Sequence, residues 1–448
     1  MPRSFMTNRA GAVEPPDCRT RLPKSATHAA VAAAGLLAFV GTTAFVVAVE
    51  PFGRDVVRSA GLIILASALG IVAPDMLWQR VHHRPSTGLD FRFNAPSWRR
   101  TAVKLLGLLG SVGGIAAIYL LAPEYKGTFY ENYYRFLNLI WPWWVLLAAP
   151  YFYLIDRRMP APNDGYWHMG QLLMGNWGLV NRALLVQHCL GWLIKGFFMP
   201  LMFVYLCDDL TRLWTVDLTE FSGFLPWYEF AYQYLYMIDV GLVCVGYLFS
   251  LRLFDSHVRS AEPTLLGWLV AIVCYEPFWT MVGTLYFRYW TDFTWTTLFA
   301  DNPVVLTIWG SCIIFLSVIY VWATVVFGIR FSNLTHRGII TSGPYRFTKH
   351  PAYISKNLSW WLISIPFATN LPPGEIVQNC LLLVAVNLIY LMRAKTEERH
   401  LGRDPVYREY AAWIEQHGML SFLRRIPLLG AFLSFHPPKP DGDKPFGK

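Results

Sequence analysis

Two polar stretches in a largely apolar chain hold side chains suited to binding a small charged molecule. The first, SGPYRFTKHPAYISKN at 342–357, carries three cations and a histidine but no acid. Gly343-Pro344 signals a turn, and Pro351 disfavours the α conformation at His350. The loop is therefore expected to be extended at His350, with backbone amides and the imidazole free to face a ligand. Tyr345 and Tyr353 offer flat, partly polar surfaces on which a purine could stack. Arg346, Lys349 and His350 supply donors for a carboxylate, and SNLTHRGIITSG just upstream adds His336, Arg337 and Gly338.

The second stretch is LMRAKTEERHLGRDPVYREY at 391–410. Arg393 and Glu397 are four residues apart, hence on one helix face. Glu397 and Glu398 are adjacent and point about 100° apart on a helix, so one can face a ligand while the other holds a partner. Taken singly, each feature has a plainer reading. A basic loop beside a membrane is ordinary positive-inside charge, Arg393 and Glu397 would make a solvated pair, and His350 could cap a helix. Their co-occurrence at fixed local spacing argues for a site.

The elements that position these stretches are membrane helices. The 448 residues are 54% hydrophobic and 15% charged, with mean hydropathy +0.35, whereas a soluble domain carries about 25% charged residues. The 19 tryptophans, 23 tyrosines and 30 phenylalanines suit aromatic belts at two interfaces. Seven scattered cysteines (18, 189, 207, 244, 274, 312 and 380) form no C-x-x-C pair. They read as small core residues, not as a disulfide or zinc framework, and no metal site is expected.

Runs of about 20 apolar residues span a bilayer. Ten candidates lie near 28–49, 56–77, 102–122, 134–155, 182–206, 229–251, 264–286, 303–328, 352–370 and 374–392, the last two forming a hairpin through NLPPGE at 370–375. The fold class expected is an all-α polytopic integral membrane helical bundle. Residues 80–104 and 329–356 are basic, whereas 207–229 carry five acids against Arg212. With ten spans the basic loops share a side with the N-terminal tail, so both termini are expected to be cytoplasmic. The net charge of +9 belongs to those loops, and no nucleic-acid partner is expected. Residues 1–27 read as a polar tail without the apolar core of a signal peptide. A bundle of unassigned role follows at 28–300, and 301–448 carries the chemistry. The C-terminal segments YREYAAWIEQHG and LLGAFLSF read as amphipathic helices on the cytoplasmic face. Lys195, Asp239 and Glu276 are ionisable groups at membrane depth. They could line a tunnel or proton path, or pair with one another.

The stretch 336–413 resembles the membrane methyltransferases typified by isoprenylcysteine carboxyl methyltransferase, with the related phospholipid N-methyltransferases. The resemblance rests on Gly343, Tyr345, His350, Pro351, Tyr353, Glu397, Glu398, Tyr407 and Tyr410. The sequence departs from the pattern at Lys349, where the family has arginine, which keeps the charge but loses the bidentate fork. The resemblance implies S-adenosylmethionine (SAM) as cofactor and methyl transfer to a lipophilic acceptor at the cytoplasmic face of the bilayer. It also implies roles for single residues. Tyr345 and Tyr353 would pack the adenosine, and His350 and Lys349, with His336 nearby, would hold the methionine carboxylate or its neighbours. Glu397 or Glu398 would take ribose hydroxyls or the ammonium. Arg393 and Glu397 are the candidate catalytic residues, Arg393 orienting an anionic acceptor if the acceptor is a carboxylate. Two other classes stay open. Sterol-type reductases that use NADPH share a fainter likeness to GRDPVYREYAAW at 402–413, without their Lys-Tyr-Gly. A non-catalytic membrane scaffold on the same fold is the other.

Overall fold

The computed structural model describes residues 21–368, 370–422 and 435. Residues 1–20 of the polar tail, Cys18 and all but the last residue of the LLGAFLSF segment lie outside the described residues. In chain order the helices are α1 (Ala29–Val49), α2 (Val56–Leu77), α3 (Trp98–Leu121), α4 (Glu131–Asp156), α5 (Gly165–Leu173), α6 (Arg182–Leu213) and α7 (Phe224–Leu248). Then come α8 (Leu265–Ile272), α9 (Phe278–Tyr286), α10 (Trp295–Leu298), α11 (Pro303–Val325), α12 (Pro351–Ser364), α13 (Pro373–Leu401) and α14 (Pro405–His417). Two short strands, β1 (Ser260–Ala261) and β2 (Thr335–His336), pair antiparallel. Local signals set the ends. Asp55, Asn181 and Asp404 accept hydrogen bonds from the first amides of α2, α6 and α14. The helices α11 to α14 each begin on a proline, whose missing N–H would have no partner there anyway.

Eight of the described helices are long and apolar enough to cross a membrane: α1 to α4, α6, α7, α11 and α13. The protein is a multi-pass membrane helical bundle. The expected spans at 264–286 and 352–370 are the two that differ. The first is broken into α8 and α9, because Pro277 has no amide hydrogen to continue the helix. The second ends at Ser364, where Ile365 turns left-handed (φ 36°) ahead of Pro366. Its 14 residues rise only about 21 Å. Both segments nevertheless carry the chain from one end of the bundle to the other. The β1–β2 pair joins the chain beyond the C-termini of α7 and α11. Meanwhile Tyr228, Trp295, Leu306, Ile313 and Ile365 pack into one cluster at the opposite end. Among the described residues ten traverses result, eight continuous and two interrupted. The short α5 fits none of the expected spans. It lies so close to α3 that a Cβ on Gly107 would stand 1.9 Å from the Tyr166 carbonyl oxygen.

The main core, around Phe39, Ile63, Phe198, Phe203 and Val245, is built chiefly from α1, α2, α6 and α7, with Tyr133 and Phe136 of α4 and Val321 and Val325 of α11 packed into it. Of the ionisable groups at membrane depth, Asp239 accepts from Tyr320 Oη at 2.7 Å and from Thr324, tying α7 to α11. Lys195 lies over the Trp192 ring, and Glu276 accepts from the Thr280 amide. The three do not pair with one another.

The basic segment between α11 and α12 is fastened to this bundle. Arg330, almost fully buried, meets Asp255 at 3.2 Å and Asp75 at 3.6 Å. Asp255 also meets Arg259 at 3.0 Å and Arg84 at 3.7 Å. Arg337 donates to the carbonyls of Ser256, Gly246 and Phe331 at 2.6–2.9 Å. Residues 23–27 lie along the same segment, with the Ala26 amide on the Ile339 carbonyl and Thr341 Oγ1 on that of Pro23. Removing one partner of a buried charge pair is expensive because the other is left without compensation. Asp255→Ala should therefore lower stability by about 3 kcal/mol, read as a clear drop in thermal unfolding temperature in detergent. An unchanged unfolding temperature would show that the cluster does not hold the segment.

Candidate functional site

The loop before α12 and the C-terminal turns of α13 meet around one carboxylate. Glu398, 4% exposed, receives Lys349 Nζ at 2.7 Å, His350 Nε2 at 3.1 Å and Lys395 Nζ at 2.9 Å. About 100° round the helix, Glu397 accepts from Tyr353 Oη at 2.9 Å and stands 4.0 Å from His350 Nδ1. The two glutamates thus divide as their helical spacing requires. Glu398 points into the loop, and Glu397 keeps a partly accessible side chain. The His350 and Tyr353 rings lie nearly parallel, 5.5 Å apart.

The loop has its own supports. Gly343 takes a left-handed φ of 60°, and a Cβ there would stand 2.7 Å from Val326 Cγ1, so glycine is required twice over. Tyr410 Oη, on α14, donates to the carbonyls of Tyr345 and Thr348 at 2.7 and 3.3 Å. Tyr407 and Tyr410 are both buried, and burial raises both phenols above the ordinary value. His350 is the N-cap of α12 with φ −133° and ψ 57°, outside the α region, and Pro351 opens the helix. The imidazole is not free, as it is taken by Glu398.

Two cavities share the wall formed by Lys349, His350, Tyr353 and Tyr390. One, of about 110 Å³, is polar. Tyr345, Arg393, Glu397, Lys356, Asn333 and Glu262 line it, with the rings of Tyr275, Tyr320 and Phe327. The other, of about 260 Å³, is mainly apolar and lies among α12, α13 and α14. Ile354, Leu391, Ala394, Ile414 and Leu420 line it, with Asn357, Asn387 and Glu398. Of the expected residues, Tyr345, Lys349, His350, Tyr353, Arg393 and Glu397 come together at the polar cavity, while Glu398 faces the apolar one. Gly343 and Pro351 shape the backbone. His336 reaches neither cavity. It sits in β2, with Nε2 3.2 Å from Asp404 Oδ2, because the β1–β2 pairing turns it towards the start of α14. Burial depresses the His336 imidazole to about 4 despite the pull of Asp404, so it is neutral at physiological pH. Among the described residues, no three His, Cys, Asp or Glu side chains group as a metal site.

Residues 304–403 match the model of the isoprenylcysteine carboxyl methyltransferase (ICMT) family. The site-bearing part of the chain carries that family's signature. The match covers α11, the loop, α12 and α13, and it supports a membrane methyltransferase in general. No curated protein and no solved structure matches the chain. Tyr407 and Tyr410 lie beyond the ICMT-family match, and Tyr275 and Glu262 lie before it. Sequence reasoning missed Lys395, Asn333, Lys356, Tyr275 and Tyr390. Lys395, three residues from Glu398 on the same helix, was legible from spacing. Tyr275 and Asn333 had no local signal, since packing alone brings them to the cavity.

Glu398→Gln should free the loop while leaving the bundle folded. Deuterium uptake at residues 343–350 is expected to quicken by about tenfold or more, and unchanged protection there would contradict the role of Glu398. The unfolded His336 imidazole binds a proton near pH 6.5, but the folded one does so only near 4. Lowering the pH between those values therefore destabilises the folded state. His336→Gln should remove that share of the acid sensitivity of thermal unfolding.

Proposed function

We propose that the protein is a SAM-dependent methyltransferase acting on a lipophilic acceptor at the cytoplasmic interface of a membrane. The observation that carries this is the convergence of the loop and α13 on the polar cavity beside the apolar one. A water-soluble charged cofactor and a lipid-like acceptor need two such spaces side by side. The polar cavity fits the cofactor's chemistry. It holds tyrosine rings for a purine, and a cation and a carboxylate on one face of α13. SAM supplies a methyl group on a sulfonium. Bound there, it would donate that methyl to the acceptor nucleophile, the S–CH3 electron pair remaining on sulfur.

Catalysis of such a displacement is largely positioning, and the chain's residues act accordingly. Tyr345 and Tyr353 pack the adenosine. Glu397, steadied by Tyr353, takes ribose hydroxyls or the ammonium group. Glu398 does not touch the cofactor in this reading. It holds Lys349 and His350 in the shared wall. Arg393 receives an anionic group in the polar cavity. Ile354, Leu391 and Ile414 accommodate the acceptor's hydrocarbon. The basic segments around 80–104 and 329–356 support a cytoplasmic site and cytoplasmic termini, by the positive-inside bias.

Calorimetry of the detergent-purified protein with SAM tests this reading. Binding is expected in the micromolar range, with a loss of about tenfold or more in Glu397→Ala and in His350→Ala. Binding of NADPH with no response to SAM would replace the reading with a reductase. Silence with both would leave a family fold without its chemistry.

A further inference from the structure

Arg393 and Glu397 stand one turn apart on the same face of α13, yet no ion pair forms between them. Each is held by a neutral partner, Glu397 by the Tyr353 hydroxyl and Arg393 by Asn333 Oδ1 at 2.7 Å. Arg393 is 7% exposed, and among the described residues no carboxylate lies within ion-pair distance of it. Its guanidinium carbon instead sits over the rings of Tyr275, Tyr353 and Tyr390, at 5.4, 5.2 and 5.9 Å. A buried cation caged by rings and an amide keeps its full charge for whatever enters the cavity.

The amide that holds it is itself oriented from outside the matched segment. Asn333 Nδ2 donates to Tyr247 Oη and Tyr275 Oη, at 3.3 Å each, and its backbone amide donates to Tyr247 Oη at 3.0 Å. Two hydroxyl oxygens on the Nδ2 side leave Oδ1 turned to the guanidinium. Tyr275 Oη also lies 3.4 Å from Arg393 Nη2. Tyr247 belongs to α7, and Tyr275 lies between α8 and α9. Both come from the bundle that the ICMT-family match does not reach.

We infer that Tyr247, Tyr275 and Asn333 are positioning residues that hold Arg393 apart from Glu397, so that the two clasp the zwitterionic amino-acid end of the cofactor. Arg393 takes the carboxylate and Glu397 the ammonium. Their backbone positions stand about 6 Å apart along the helix axis, and the two side chains approach the α-amino-acid head from two sides. The N-terminal bundle thereby completes the binding site. This rests on the cofactor reading above.

The test compares S-adenosylhomocysteine with 5′-methylthioadenosine, which keeps the nucleoside and sulfur but lacks the amino-acid end. Both are titrated calorimetrically into the full chain in detergent. The wild type should bind the first more tightly. Asn333→Asp sets a carboxylate against Arg393 and should weaken S-adenosylhomocysteine by about tenfold, leaving methylthioadenosine within about twofold. Tyr275→Phe keeps the ring, loses the hydroxyl and should weaken S-adenosylhomocysteine by about threefold. It carries the test alone if Asn333→Asp does not fold. A change equal for both ligands, or none, overturns the inference while the cofactor reading stands. So does a wild type that binds the two ligands equally. A wild type that binds neither removes the cofactor reading and this inference with it.

Discussion

The site depends on a buried carboxylate. Glu398 gathers Lys349, His350 and Lys395 at 2.7–3.1 Å, and with them it gathers a loop that would otherwise be a run of cations beside a membrane. Three positive or protonatable groups cannot be packed together in a confined space without an acid among them. That constraint draws the His350 loop onto α13. Glu397, next in sequence, is then left facing the polar cavity. The Lys349–His350–Tyr353 wall that separates the two cavities is a by-product of the same contact.

A second constraint works from the other side. The segment between α11 and α12 has no core of its own, and it is held by Arg330 and Arg337 reaching into the N-terminal bundle. The buried ends of these arginines explain why a loop rich in cations is not simply solvated surface. The same bundle supplies Tyr275 and Glu262 to the polar cavity. The polar cavity is thus built from both halves of the chain, whereas the apolar one is built from the loop before α12 and from α12 to α14 with the residues just beyond.

Much of this was legible in the sequence. The traverses followed from apolar length, and the interruptions at 265–286 and 351–364 fall beside Pro277 and Pro366. The short α5 was not legible, since its nine residues are too few to give a length signal. At the site, the His350 loop and the Arg393–Glu398 run were visible because their spacing is local. His336 was misplaced because a two-residue strand pairing, invisible in the sequence, fixes its direction. Tyr247, Tyr275 and Asn333 come together across separations of 58 and 86 residues, which only the packed bundle can specify. Lys349, expected to touch the ligand, spends its charge on Glu398, and lysine in place of the family's arginine suits a single carboxylate oxygen.

The most direct measurement is photo-crosslinking of radiolabelled SAM to the purified protein in detergent, with the labelled peptides mapped by mass spectrometry. Label on the peptides carrying Tyr345–Tyr353 or Arg393–Glu397, displaced by S-adenosylhomocysteine, is the expected result. Label confined to other parts of the bundle, or none that unlabelled S-adenosylhomocysteine can displace, would contradict the placement of the cofactor in the polar cavity.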